Sequence, residues 1–313
     1  MRERPVNAAA QAEGGHDVNI SCCWLYAINK YGYPPSIADT HKVLGEMRAL
    51  GFDAAELEGV RDENMKAVNA TRADLKRRCD DLDLRIINFC PVLPDLVSLD
   101  ERRRRAALDL FRLAVEVTVF FGAPTVQVDS YAAPVEFVTH RPYGEAVEFK
   151  RQFDVRIPAG FVWGHVWDTL VETIRTCVAI ARDAGLRLCL EPRVGELVSN
   201  SDALLRLFEQ VNDPAFGAVL DCGHLHAQKE ILPLSVEKLG SRIFYVHAAD
   251  NDGRDNEHLA PGRGTVDWEA LFAGLRRHRF AGYVGIDVGG VPDLDAQYRE
   301  GFAFVRRLLD RAA

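Results

Sequence analysis

Four ionisable side chains each follow directly on an apolar run: Glu191 after "LCL", Asp221 after "AVL", His247 after "FYV" and Asp287 after "VGI". Burying such groups is costly unless they are paired or hold a metal. Their separations of 30, 26 and 40 residues are each close to one strand and one helix. If the four strands lie side by side, three carboxylates and one imidazole meet at one end of a sheet. Carboxylates crowded together repel unless one keeps a proton or a cation neutralises them. An oxygen-rich set with one imidazole suits Mn²⁺ best, with Mg²⁺ or Co²⁺ as close alternatives, and leaves positions open for substrate oxygens. Read singly, each residue would be a solvated strand end or an ion-pair partner. Four at the same place on consecutive strands point to a metal. Cys222 adjoins Asp221, and strand alternation is expected to turn it away.

The elements that must position these residues repeat along the chain. "VNISCCWL" (18–25) is rich in strand formers and is followed by helical apolar spacing over 35–52. The pattern recurs as "DAAELEG" with a helix near 62–82, "RIINFCPVL" with a helix near 100–121, and "TVQVDS" with a helix near 163–184. The second half continues with "LRLCLEPR" and a helix from Ser201, then "GAVLDCGH" and a helix near 233–239. "RIFYVHAAD" with a helix from Asp267 and "YVGIDVGG" with a helix near 294–311 complete eight units. Alternation of this kind implies a parallel sheet, and eight strands close a barrel with its active site at the carboxyl ends. The fold class is therefore α/β, a single (β/α)8 TIM barrel over 18–313, preceded by an expected disordered tail over 1–17. No GxGxxG follows the first strand, which argues against a dinucleotide fold. Residues 131–161 form a long connection after strand 4, expected to be an inserted loop or lid.

Composition narrows the function. The formal net charge of −8 disfavours polyanionic partners, so neither nucleic acid nor a membrane surface is expected. The seven cysteines are odd in number and form no CxxC pair, which suits reduced core residues of a cytoplasmic protein. No apolar signal core opens the chain, and no apolar run is long enough to span a membrane.

Several stretches have structural explanations. "HLAPGRGTVDW" reads as turns ending in an Asp267 cap and a Trp268 anchor. "ERRRRAALDLF" (101–111) reads as a solvated helix face. Trp163, Trp167, Leu170 and Ile174 fall at helical spacing, as core or subunit packing would require.

"LCLEP", "LDCGH", "YVHAADNDGRDNEHLAPGRGTVDW" and "YVGID" resemble the strand 5 to 8 motifs of the xylose isomerase-like TIM barrels, which include sugar isomerases, epimerases and endonucleases. The resemblance implies one divalent metal held by Glu191, Asp221, His247 and Asp287, with the first and last carboxylates exchanging substrate protons. Asp287 stands where the family usually has Glu, which shortens the arm by one methylene. The endonuclease branch needs further histidines after strands 2 and 3, where this chain has "ELEG" and "NFCP". The long connection and Asp287 also resemble, more distantly, the catalytic subunits of C-glycoside deglycosidases. These eliminate the aglycone from a 3-oxo-glycoside beside a small β-sandwich partner.

The chemistry that fits is proton abstraction next to a carbonyl of a sugar, giving isomerisation or epimerisation, with the lyase and a non-catalytic sugar-binding barrel as alternatives. Glu191, Asp287, Glu56 and His140 are the candidate catalytic groups. His224, Arg193, Arg254 and His258 are candidate contacts for substrate oxygens. Self-association is expected, with Tyr143, Phe149 and Phe153 of the long connection as contact candidates.

Overall fold

The protein, described here by a computed structural model, is defined over residues 18–138 and 154–311. The tail expected over 1–17, His140, Tyr143, Phe149 and Phe153 lie outside the described residues. Eight parallel strands close into a barrel: β1 (Asn19–Cys22), β2 (Ala54–Val60), β3 (Arg85–Val92), β4 (Thr125–Asp129), β7 (Arg187–Glu191), β8 (Phe216–Asp221), β9 (Ile243–Ala248) and β10 (Tyr283–Ile286). A small antiparallel ribbon, β5 (Glu136–Phe137) with β6 (Val155–Arg156), lies in the connection after β4. Closure occurs where β1 pairs with β10, from Asn19 opposite Tyr283 to Cys22 opposite Ile286.

The helices follow their sequence signals. α4 (Glu101–Phe121) starts where Asp100 accepts hydrogen bonds from the backbone N–H groups of Arg102 and Arg103 and stops at Gly122 in the left-handed conformation, φ 74°. α5 (Trp163–Asp183) buries Trp167, Leu170 and Ile174, while Trp163 stays exposed. α6 (Ser201–Val211) is capped by Asn200, and α9 (Trp268–Arg277) by Asp267, which accepts from Ala270 N–H while Trp268 is buried. α2 (Ile37–Ala49), α3 (Arg61–Asp81), α8 (Leu232–Leu239) and α10 (Leu294–Asp310) complete the outer ring. The basic stretch on α4 is a solvated face, with Arg103 paired to Asp95 and Arg105 to Glu101. No helix among the described residues is long and apolar enough to cross a membrane.

Two short helices depart from the sequence reading, and both lie at the barrel mouth. The strand expected over 18–25 ends at Cys22, and α1 (Leu25–Tyr31) follows. Strand propensity is overruled there because Glu56 on β2 accepts a hydrogen bond from the Trp24 backbone N–H, 3.0 Å away. Likewise α7 (Cys222–Ala227) begins directly after Asp221. Cys222 is thus not carried away by strand alternation. It opens a helix, and its thiol turns back towards the Leu220 carbonyl. All seven cysteines are free and buried.

Candidate metal centre

Neighbouring strands end level with one another, so register gathers their last side chains. Asp129 stands opposite Glu191 in the β4–β7 pair, and Asp221 opposite His247 in the β8–β9 pair. Asp221 is held in place because one of its oxygens, Oδ1, accepts the His224 backbone N–H at 2.6 Å, capping α7. Its other oxygen, Oδ2, lies 3.5 Å from His247 Nδ1, and Glu191 Oε1 lies 2.6 Å from the same nitrogen. Neither Asp221 Oδ2 nor His247 Nδ1 has a hydrogen-bond partner among the described residues, although both are buried. Two orphaned buried atoms, a carboxylate oxygen and a ring nitrogen, beside the Glu191 carboxylate match the electron-pair donors that a divalent cation takes.

The back of the imidazole is anchored. His247 Nε2 lies 3.0 Å from Glu56 Oε1, and Glu56 also accepts hydrogen bonds from Trp24 N–H and the Asn88 side-chain amide. Burial pushes the Glu56 pKa up, but His247 and these donors outweigh it and hold the carboxyl below its usual range. An ionised Glu56 keeps the proton on Nε2 and leaves Nδ1 directed at Glu191 and Asp221. Glu56, read from the sequence as a candidate base, is therefore placed as the residue that orients His247. The wall also attracts positive charge. Burial opposes the His247 imidazolium, yet the surrounding carboxylates raise its pKa well above normal.

Asp287 joins less directly. Its ligand oxygen, His247 and the Cys23 thiol lie within 4.8 Å of one another, a second grouping beside that of Glu191, Asp221 and His247. Its carboxylate lies 3.2 Å from His258 Nδ1. Burial works against a charged His258, and Asp287 more than offsets it, raising the ring's pKa. His224 lies in the same pocket. Burial, reinforced by the neighbouring His258 ring and the Arg193 cation, lowers its pKa well below the usual value, so it stays neutral.

The pocket has a second wall that the motifs did not reveal, formed by Glu58 on β2 and Asp129 on β4 beside Tyr33, Gln127 and Arg193. Arg193 binds Asp129 at 2.6 Å and approaches Glu191 at 3.8 Å. Burial raises the Asp129 pKa to about 6 against the pull of Arg193. Burial likewise pushes Glu58 well up, with Asp129 and Glu56 adding to it, and the Glu58 Oε2 atom is orphaned. Glu196 receives a hydrogen bond from Ser130 and sits at about 7, raised chiefly by burial. The signal for Glu58 was present in "AELEG", since residues two apart on a strand share a face with Glu56.

Arg193, His224 and His258 thus reach the pocket with Glu191, His247 and Asp287. Arg254 does not: its guanidinium is 82% exposed and pairs with Asp252. His140 lies outside the described residues.

Comparison with known proteins identifies the family and the fold. The family model "Xylose isomerase-like TIM barrel" matches residues 44–308. The chain is similar to fructoselysine 3-epimerase from Shigella flexneri, 23% identical over 250 residues that cover 76% of this chain and 81% of that protein. Among solved structures, 3-keto-D-glucoside 4-epimerase from E. coli superposes with a TM-score of 0.71 at 18% identity, covering 93% of this chain and all of that one. D-psicose 3-epimerase from Clostridium cellulolyticum H10 gives 0.70 at 15% identity, covering 93% and 99%.

Proposed function

The chain belongs to the xylose isomerase-like TIM barrel family, and from that premise we propose that it is a divalent-metal-dependent enzyme that removes a proton next to a carbonyl of a sugar or sugar derivative, giving epimerisation or isomerisation. The observation that carries this reading is the pair of orphaned buried atoms, Asp221 Oδ2 and His247 Nδ1, facing Glu191 beneath an open pocket. Glu191, Asp221, His247 and Asp287 would hold the ion, with Mn²⁺ preferred and Mg²⁺ or Co²⁺ accepted by the same donors. A divalent ion there supplies Lewis acidity, stabilising the negative charge that develops on a substrate carbonyl and its neighbouring hydroxyl oxygen.

The chain's own residues do the rest. Glu191 is the base; burial pushes its carboxyl up, partly offset by His247. Neutral His224 and cationic Arg193 bind substrate oxygens. Asp287, steadied by His258, is the second group for proton exchange. The pocket wall of Glu58 and Asp129 takes hydroxyl groups of the sugar chain. We place the enzyme in the cytoplasm, in keeping with seven free thiols, and expect it to self-associate.

The decisive experiment incubates Mn²⁺-loaded protein in D₂O with D-psicose, D-tagatose, L-ribulose, fructoselysine and a 3-keto-D-glucoside. NMR should show metal-dependent deuterium entering the carbon next to the carbonyl of at least one. No exchange in any of them overturns the reading. An elimination would share the first proton abstraction. The resemblance of Asp287 and the long connection to C-glycoside deglycosidases keeps that second reading, and release of aglycone from an oxidised flavonoid C-glucoside would select it.

A further inference from the structure

Behind the pocket, one side-chain amide touches two of its imidazoles, those of His224 and His258. Asn256 Nδ2 lies 2.9 Å from His224 Nδ1 and 2.8 Å from His258 Nε2. The orientation of that amide follows from its other neighbour. Asn251 donates from Nδ2 to the Gly223 carbonyl at 2.8 Å and accepts Gly253 N–H on its oxygen at 2.9 Å, so its amide can face only one way. From that position Asn251 Nδ2 points its second hydrogen at Asn256 Oδ1, 3.4 Å away. Asn256 therefore turns its NH₂ group, which can only donate, towards the two rings.

We propose that Asn256 is a positioning residue that sets the tautomers of both imidazoles, fixing His224 with its proton on Nε2 and His258 with its proton on Nδ1. The same conclusion comes from the far side of each ring. His224 Nδ1 also lies 3.2 Å from the Val194 backbone N–H, a donor that no tautomer change can turn into an acceptor. Among the described residues, His258 Nδ1 faces two acceptors: the Asp287 carboxylate at 3.2 Å and the Asp287 carbonyl at 3.1 Å. His258 adopts a left-handed backbone conformation, φ 47°, which is costly for a side chain of that size and is retained because both ring nitrogens are held. Gly223 makes the approach possible, since a Cβ there would come 2.7 Å from Asn256 Oδ1. The glycine of "DCGH" thus has a packing reason.

Two consequences follow for the reaction, and these rest on the epimerase reading. With its proton on Nε2, His224 offers the substrate a hydrogen-bond donor and is not a base. With its proton on Nδ1, His258 aims the short Asp287 arm. Both roles vanish if the amide is reversed.

The test reads the rings directly and does not depend on knowing the substrate. Ring ¹⁵N NMR of ¹⁵N-labelled, Mg²⁺-loaded protein is assigned with the His224→Gln and His258→Gln variants. Wild type should show His224 protonated on Nε2 and His258 on Nδ1. Asn256→Asp replaces the donor with an acceptor and should move the proton of at least one ring to the nitrogen facing residue 256, while Asn256→Ala, which leaves Val194 N–H and Asp287 in place, should give a smaller, partial shift the same way. With a ketose found to exchange deuterium, Asn256→Ala should lower kcat by roughly 10- to 100-fold, the scale of losing an orienting partner, with KM within about twofold. A wild-type spectrum with His224 protonated on Nδ1, or unchanged tautomers in both variants, overturns the proposal. If Asn256→Asp does not fold, the wild-type and Asn256→Ala spectra decide it. Failure of the sugar reading leaves the NMR result standing, whereas failure here leaves deuterium exchange intact.

Discussion

On the wall built by β7, β8 and β9, Asp221 Oδ2 and His247 Nδ1 have no partner among the described residues. On the wall built by β2 and β4, by contrast, negative charge is met within the protein. Glu56 has His247 and two amides, Asp129 has Arg193, and Glu58 is driven by burial towards its protonated form. The two walls face one pocket, but the orphaned oxygen on the second, Glu58 Oε2, belongs to a carboxyl that burial drives towards its neutral form, whereas Asp221 Oδ2 on the first faces an equally unpartnered ring nitrogen. That wall is where a cation is expected. The other can take neutral hydroxyl groups: Asp129 keeps its pairing with Arg193, and the orphaned Glu58 Oε2 is free to meet a substrate hydroxyl.

Removing the unanswered carboxylate should break this contrast most sharply. Asp221→Ala should lose its bound Mn²⁺, measured by metal analysis of the purified protein, and any deuterium exchange should fall at least ~100-fold, since Lewis acidity supplies several kcal/mol. On the opposite wall, Arg193→Met leaves Asp129 buried without its cation. At a pH where Asp129 stays ionised, the variant should lose about 3–5 kcal/mol in denaturant unfolding. The link between the walls is weaker. Glu56→Gln keeps the shape but not the charge that orients His247, and Mn²⁺ affinity by titration should drop roughly 10- to 100-fold.

A pH series sharpens the comparison further. Asp129, at about 6, and Glu196, at about 7, hold protons in the folded state that the unfolded chain has already released. Their stabilising contribution is present at low pH and is lost as pH rises towards and through those values. His224 opposes this, because its lowered pKa favours the folded state above the imidazole's ordinary value. The raised His247, His258, Glu58 and Glu191 act in the same direction as the two carboxylates, so metal-free protein should melt a few degrees higher at pH 6 than at pH 8. Added Mn²⁺ should reverse the order, because its ligands must be deprotonated. Equal melting at both pH values in the metal-free protein would contradict the assigned shifts. The smallest effect belongs to the outer surface: Arg277→Ala, which removes an exposed pair with Glu237, should leave the denaturation midpoint and metal binding essentially unchanged.

Much of this was legible in the sequence. Alternating strand and helix patterns, with caps such as Asp100, Asn200 and Asp267, placed the eight barrel strands and most helices, because periodicity and capping are local properties. The same locality put Glu191, Asp221, His247 and Asp287 at strand ends. Two short mouth helices escaped, since α1 depends on Glu56, 32 residues from Trp24, and α7 on the cap that Asp221 itself provides.

What only the tertiary structure decided is how each charged group is used. Glu56 turned out to hold His247 rather than wait for substrate, Arg254 points to solvent, and Glu58, Asp129 and Asn256 entered the site unannounced. A sequence fixes which donors and acceptors a chain owns. Whether a carboxylate meets an arginine, a proton or an open pocket depends on distances of a few ångströms between residues far apart along the chain, and hydrogen bonds and charge interactions change over just that range.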